Sequence, residues 1–280
     1  MHPLYIYIKK ELSGYYPDTE TSAIAKSLLT DVFGLSALDL YAGKDNDFSS
    51  ENLDRLNDIL LRLKSYEPLQ YIIGETYFYG LRFMVSPSVL IPRPETAELI
   101  DWIVSDYKDV PEVKILDIGT GSGCIPISLA TVMDKPGVSA WDISEEALNV
   151  ARKNSEINNV VVNFERVDVL GEDIPDIKTD IIVSNPPYIG EGEKPEMEKN
   201  VLDWEPELAL FVPDDDPLVF YRRIAMLGLD ILKENGSLYF EINQKYGCET
   251  LDMLDLMGYK NVELRKDMSG NDRMIKAIRP

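Results

Sequence analysis

The sequence predicts an α/β fold built on a doubly wound, mostly parallel sheet, preceded by a small helical bundle joined to it by a β-hairpin. Three observations carry this expectation. From about residue 92 onward, apolar runs of strand length alternate with segments of helical period, the pattern of strands connected by helices that cover both faces of a sheet. A cluster of glycines, Gly119, Gly121 and Gly123, sits directly after the first of those runs. Residues 1–74, in contrast, carry only helical periodicity.

Within residues 1–74, Ile24, Leu28, Leu29 and Val32 share one helix face, as do Leu53, Leu56, Ile59, Leu60 and Leu63. Ser49 or Ser50 before Glu51 supplies a helix start for the second set, since a serine oxygen can take a free first-turn N–H. Gly14, Gly34, Gly43 and Asp45-Asn46-Asp47 punctuate the segment, so several short helices are expected. Residues 75–91 form the expected hairpin linker: Tyr77, Tyr79, Leu81, Phe83 and Val85 alternate, with Gly80 at a bend. The prolines of Ser86–Pro94 forbid regular helix there and suggest a stiff connection. The domain over residues 92–280 begins with a helix through Leu99, Ile100 and Ile103. Its expected strands are Val113–Ile118, Val138–Trp141, Val161–Glu165, Asp180–Ser184, Ser237–Ile242, Val262–Arg265 and Arg273–Ile278. Helical patterns containing Ile125, Ile127 and Leu129, and spanning Ser144–Asn158 and Val219–Leu232, lie between them.

Composition narrows the function. With 280 residues, 45% hydrophobic and 28% charged, the chain can bury a full core. A net charge of −21 disfavours general attraction to nucleic acid or anionic membrane, although a local basic groove stays open. Cys124 and Cys248 stand far apart and match no metal spacing, so both read as reduced thiols. His2 is the only histidine and lies at an end expected to fray, which removes histidine-dependent catalysis and ligation. No run of membrane-spanning length or secretory signal occurs, and a cytoplasmic monomer is expected.

Three motifs then carry chemistry. Asp117-Ile118-Gly119-Thr120-Gly121-Ser122-Gly123 closes the first strand; glycines there let backbone approach a ligand at the sheet's carboxyl edge. The dinucleotide pattern G-x-G-x-x-G requires glycine where Cys124 stands, which argues against NAD. Asp142 ends the second strand, where a carboxylate can accept hydrogen bonds from both hydroxyls of a ribose; it could also cap the helix beginning near Ser144. Asp168 and Val169, after the next strand, could meet an adenine, or Asp168 could form a turn. The third motif, Asn185-Pro186-Pro187-Tyr188, follows the strand Asp180–Ser184. Its prolines fix the backbone, its Asn oxygen and a neighbouring carbonyl can face one target, and Tyr188 can offer an aromatic wall. Such a pair of acceptors suits a planar NH2 group whose lone pair is delocalised. Glu241, at the end of another strand, is a geometric candidate for the final proton acceptor.

The G-x-G-x-G loop with N-P-P-Y resembles the amino-group methyltransferases. Glu67–Gly74, Phe78–Leu81 and Leu90–Thr96 extend the likeness to the PrmC/HemK family, the release factor glutamine methyltransferases, as do Glu205-Pro206, Ala209-Leu210, Asp267 and Gly270–Arg273. The resemblance covers about residues 60–280 and implies a class I, Rossmann-like methyltransferase with S-adenosyl-L-methionine as donor. It implies methylation of the glutamine amide in the Gly-Gly-Gln loop of peptide-chain release factors. The separateness of residues 1–74 from the site motifs suggests that they dock that protein substrate. Carried over residue by residue, Asp117, Gly119–Gly123, Asp142, Asp168, Val169 and Asn185 would hold the donor. Asn185, Pro186, Pro187 and Tyr188 would grip the glutamine. Val169, Asn243 and Asp216-Pro217-Leu218 depart from the family's usual residues. Two readings stand beside this one: an amine-directed DNA or RNA methyltransferase, disfavoured by the acidic Glu191–Glu198 segment, and a non-catalytic adenosine-ligand sensor, which would have no need of N-P-P-Y.

Overall fold

The computed structural model describes residues 1–42 and 48–280, so the expected punctuation at Gly43 and Asp45–Asp47 lies outside the described residues. The chain divides into two compact units, Met1–Gly74 with Glu198–Trp204, and Glu75–Met197 with Glu205–Pro280.

The smaller unit contains α1 (Pro3–Leu12), α2 (Asp18–Ser27) continued by a π-helical turn, α3 (Ala37–Ala42), α4 (Ser50–Lys64) and α5 (Leu69–Ile73). Ser49 caps α4, its hydroxyl accepting from the Asn52 N–H. Ile8, Leu12, Leu28, Leu29, Leu56 and Leu60 meet in its core; each such side chain contributes about 1.5–3 kcal/mol on full burial. The N-terminus is not frayed. His2 is buried, donates its backbone N–H to the Leu40 carbonyl at 2.8 Å, and caps α1 by accepting from Leu4 N at Nδ1. Pro3 at the first helical position needs no such partner, which lets a histidine do the capping.

The larger unit opens with the hairpin of β1 (Glu75–Phe78) and β2 (Leu81–Met84). It does not stand apart as a bridge: Asn154 bonds both Met84 backbone groups, and Asn158 donates to the Arg82 carbonyl, tying it to the helix over Glu145–Ile157 and the residue that caps it. Nor do the odd-numbered residues share a face. Thr76 pairs with Phe83 and Phe78 with Leu81 across a turn in which Tyr79 and Gly80 both have positive φ. A two-residue turn sets even positions opposite odd ones, so Phe78, Phe83 and Val85 are buried while Tyr77 is exposed.

After α6 (Pro94–Tyr107) come β3 (Lys114–Ile118), α7 (Cys124–Val132), β4 (Gly137–Asp142), α8 (Glu145–Ile157), β5 (Asn163–Arg166), β6 (Thr179–Ser184) and the short β7 (Ile189–Gly190). The next helix, α9 (Lys199–Leu202), belongs to the helical unit, where Trp204 Nε1 donates to the Ser65 carbonyl. The chain returns with α10 (Glu207–Leu210), β8 (Phe211–Val212), α11 (Val219–Ile231), β9 (Leu232–Glu241), α12 (Gly247–Leu256), β10 (Lys260–Lys266) and β11 (Asp272–Ile278). All the expected strands of this region join one seven-stranded sheet of order β10-β11-β9-β6-β3-β4-β5, antiparallel only at β11 and β10. Side chains alternate across it. Leu116, Ile118 and Ile182 point into a core with α11 and α12, and Ile115, Ile181 and Val183 into one with α6 and α7. Burial on both faces explains why these strands read as continuous apolar runs.

Candidate active site

Strand register assembles the site. Ile118 at the end of β3 lies between Trp141 of β4 and Ser184 of β6, so the segments leaving those strands emerge side by side. The Ser184 hydroxyl donates to the Ile118 carbonyl at 2.6 Å, and the N–H groups of Gly119 and Thr120 donate to the Trp141 carbonyl at 2.9 and 3.0 Å. Gly119 therefore sits beside the tetrapeptide: a Cβ built on it would stand 4.0 Å from the Asn185 carbonyl oxygen. At the next strand end, Val167 N donates to the Asp142 carbonyl, which brings Asp168 to the same edge.

These ends surround a cavity of about 470 Å³, within the size range of small-molecule sites. Gly119, Thr120, Gly121 and Ser122 line it, with Asp142, Asp168 and Val169, and with Asn185, Pro186 and Pro187 opposite. The sites expected at Asp117, Gly123 and Tyr188 lie off the wall. Asp117 is fully buried beneath the loop. Gly123 starts α7 with φ of +80°, and a Cβ there would come within 2.9 Å of Ile127 Cδ1 and 3.1 Å of Ala151 Cβ, so this glycine serves helix packing. Tyr188 turns its ring into the core that holds α11 and points its hydroxyl at Glu241 Oε1, 3.4 Å away. The end of β9 offers this hydroxyl a buried acceptor, which anchors the loop, while the residue itself stays partly exposed. Glu241 also lies behind the wall, taking the Thr96 hydroxyl at 2.6 Å.

Burial tunes the carboxyl groups. It pushes Asp117 up to about 7, opposed by the Thr120 hydroxyl, which favours the ionised carboxyl. Asp142 is raised by desolvation too, opposed by the N–H groups of Ser144 and Gly121, which it accepts at 2.9 and 2.8 Å. Asp142 therefore shapes the glycine turn as well as facing the cavity. The helix cap is Ser144, whose hydroxyl accepts from Ala147 N. Asp168 accepts from Leu170 N, a turn contact, while lining the cavity.

Part of the site lay outside the sequence-based expectation. The proline-rich segment assigned to a domain connection forms a wall of the cavity with Ser88, Leu90, Pro92 and Arg93, and Thr96 joins it from α6. Glu205, whose side chain is 1% exposed, pairs with Arg93 Nη2 at 2.5 Å and accepts from Ile91 N. This pair holds the segment to the start of α10, whose Leu208 and Ala209 also reach the cavity. The available signal was the unusual company of an acid and a proline at Glu205-Pro206, with an arginine between prolines at Arg93. Phe220 and Ile224 of α11 complete an apolar side; their helical spacing marked them only as core.

Comparison with known proteins agrees with both units. A PrmC N-terminal domain model matches residues 4–74, and a methyltransferase small domain model matches residues 99–203. A release factor glutamine methyltransferase of Bacteroides thetaiotaomicron is 52% identical over 280 residues, covering 100% of each chain. One from Flavobacterium psychrophilum is 45% identical over 268 residues, 95% of this chain and 94% of that one. Among solved structures, a methyltransferase from Pyrococcus furiosus is similar in fold, with a TM-score of 0.54 at 20% identity over 82% of this chain and 98% of the other.

Proposed function

The chain belongs to the release factor glutamine methyltransferase family, and from that premise we propose that it moves a methyl group from S-adenosyl-L-methionine to the glutamine side-chain amide nitrogen in the Gly-Gly-Gln loop of peptide-chain release factors. One observation carries the reading: Asn185 and Pro186 share a cavity with the glycine loop and Asp142, the Asn185 carbonyl lying next to Gly119.

The residues present fit the donor. Gly119 and Gly121 have φ of +75° and +53° and no side chain to block a ligand. Thr120 and Ser122 add polar side chains to the same cavity wall. Asp142 takes the ribose hydroxyls, and Val169, Leu170, Phe220 and Ile224 offer an apolar slot for a flat ring. S-adenosyl-L-methionine, when bound, supplies a methyl on a positively charged sulfur. The chain's own part is orientation. An amide NH2 is a poor nucleophile, since its lone pair is shared with the carbonyl. The Asn185 side-chain oxygen and a tetrapeptide carbonyl accept hydrogen bonds from its two N–H groups and thereby favour localisation of the pair toward the methyl; one of these protons leaves as the N–C bond replaces the S–C bond. Pro186 and Pro187 keep those acceptors in place. Residues 1–74 dock the release factor; a chain beginning at Ser65 that stayed folded and fully active on intact release factor would sink that part.

The test is transfer of labelled methyl to purified release factor, its Gln-to-Ala loop variant, duplex DNA and RNA. Label on the wild-type release factor alone is expected. Label on nucleic acid alone would leave the amine chemistry standing and overturn the partner.

A further inference from the structure

The tetrapeptide is stretched between two fixed ends, and the far end depends on a residue outside every motif above. At the near end, Ser184 is pinned to Ile118 of the neighbouring strand. At the far end, Tyr188 is held at its backbone N–H by the Leu210 carbonyl, 3.2 Å away, and at its own carbonyl by Asn243 Nδ2, 3.0 Å away. Between the ends lie two prolines with locked φ, which leave little slack. A shift at Tyr188 therefore reaches Asn185 almost undamped.

Asn243 is well suited to resist such a shift. It is 7% exposed and begins the turn after β9. Its backbone N–H donates to the Tyr221 hydroxyl at 3.3 Å, and its Oδ1 accepts from Lys245 N at 3.0 Å. That second bond fixes which side of the amide faces the tetrapeptide, because an N–H requires the oxygen there and leaves Nδ2 for the acceptors. Nδ2 then meets Tyr188 O and Glu193 Oε1, the latter at 3.3 Å. Glu193 continues the brace: Oε1 accepts from Gly190 N at 3.0 Å, and Oε2 pairs with Lys245 Nζ at 2.5 Å. The far end of the tetrapeptide at Tyr188 and the chain leaving it at Gly190 are thus gathered on one amide and one carboxylate.

The geometry points to Asn243, braced by Glu193, as a positioning residue that sets the placement of Asn185 through Tyr188. Asn243 lies off the cavity wall, so its effect falls on the orientation of the accepting amide and not on binding of the methyl donor. The inference rests on the glutamine methyltransfer reading for the reaction whose rate it governs.

The experiment compares wild type with Asn243→Asp, Asn243→Ala and Glu193→Ala. Each is assayed for steady-state methylation of release factor, for S-adenosyl-L-methionine affinity by calorimetry and for thermal melting. Asn243→Asp keeps the Lys245 contact but sets a carboxylate oxygen against the Tyr188 carbonyl and Glu193, so it adds repulsion to the lost bond, whereas Asn243→Ala removes the bond without adding charge. Asn243→Asp and Asn243→Ala are expected to lower kcat about ten- to hundredfold, the scale of a small misplacement of reacting groups, with donor Kd within about twofold of wild type. Glu193→Ala, at the edge of the network, should give the same split with a smaller loss, and it carries the test if the Asn243 variants fail to fold. A kcat for Asn243→Asp within twofold of wild type overturns the inference, as does loss of kcat in step with donor affinity and melting temperature. Failure of wild type itself to label release factor strikes the proposed function instead.

Discussion

The glycine loop and the tetrapeptide leave adjacent strands of one sheet, yet they are finished in opposite ways. At the glycine loop three residues take positive φ, and beneath it the Asp117 carboxyl is fully buried, with the Thr120 hydroxyl set against the cost of that burial. At the tetrapeptide the polar groups of Tyr188 are bonded, its N–H to Leu210, its carbonyl to Asn243 and its hydroxyl to Glu241. The first surface keeps its hydrogen-bonding capacity for something that arrives. The second uses its capacity to hold still. A reaction limited by orientation needs both, since an open cradle gains affinity from a ligand while a fixed acceptor pair gains nothing unless it is already in place.

That contrast breaks most sharply at its two functional ends. Asn185→Ala should cost roughly a hundred- to thousandfold in turnover, the size seen when one preorganised hydrogen-bonding group is removed from a reacting centre. Donor affinity should survive; calorimetry showing binding lost alongside turnover would place Asn185 in the cradle instead. Asp142→Ala should do the reverse. It loses charge-assisted hydrogen bonds worth about 1.5–3 kcal/mol, a rise of roughly ten- to 150-fold in donor Kd, and also releases the Gly121 and Ser144 N–H groups it holds. An unaltered Kd for this variant would reduce Asp142 to a turn former.

The two loops were also unequally legible. Both motifs announced themselves in the sequence, because glycine spacing and paired prolines constrain backbone locally. The strands that present them were equally plain, since a strand covered on both faces must be apolar at every position, as in Ile181, Ile182 and Val183. What could not be read was non-local. Nothing near Tyr188 in sequence says that its ring turns toward a core built by α11, or that Glu241 and Asn243, more than fifty residues later, take up its polar atoms. The Arg93–Glu205 pair, separated by 112 positions, turned a stiff connector into a cavity wall by the same kind of distant contact. Gly123 looked like part of the cradle and proved to be packing, a distinction that depends on where Ala151 of α8 falls.

That distinction can be sharpened within the loop itself. Gly123→Ala meets positive φ together with close contacts to Ile127 and Ala151, so it should cost about 1–3 kcal/mol of stability. Gly121→Ala also strains a positive φ, of +53°, but nothing stands within 4 Å of the new Cβ. Its penalty should be smaller in melting and larger in donor binding. Equal effects of the two substitutions on both measurements would mean that the loop has no division between packing and binding.

A pH dependence separates the cradle from the rest. Burial raises the Asp117 carboxyl to about 7, against about 3.9 for an aspartate in the unfolded chain. Between those values the folded state binds the extra proton, so the stability Asp117 contributes is fully present below about pH 4 and is lost as pH rises through about 7. Asp117→Asn cannot titrate. In the absence of donor, its stability relative to wild type should therefore increase from pH 4 to pH 7 and level off above, in urea titrations taken across that range. Taking the difference between the two proteins removes the parallel contributions of Glu205 and Glu241, whose carboxyls burial also raises, while Asp142, whose charge helps raise Asp117, stays coupled to it. The donor carries positive charge and favours ionised Asp117, so the same substitution should weaken donor binding most above pH 7. A stability difference flat across the range would mean that Asp117 is ionised throughout, its oxygens satisfied by solvent beneath the loop.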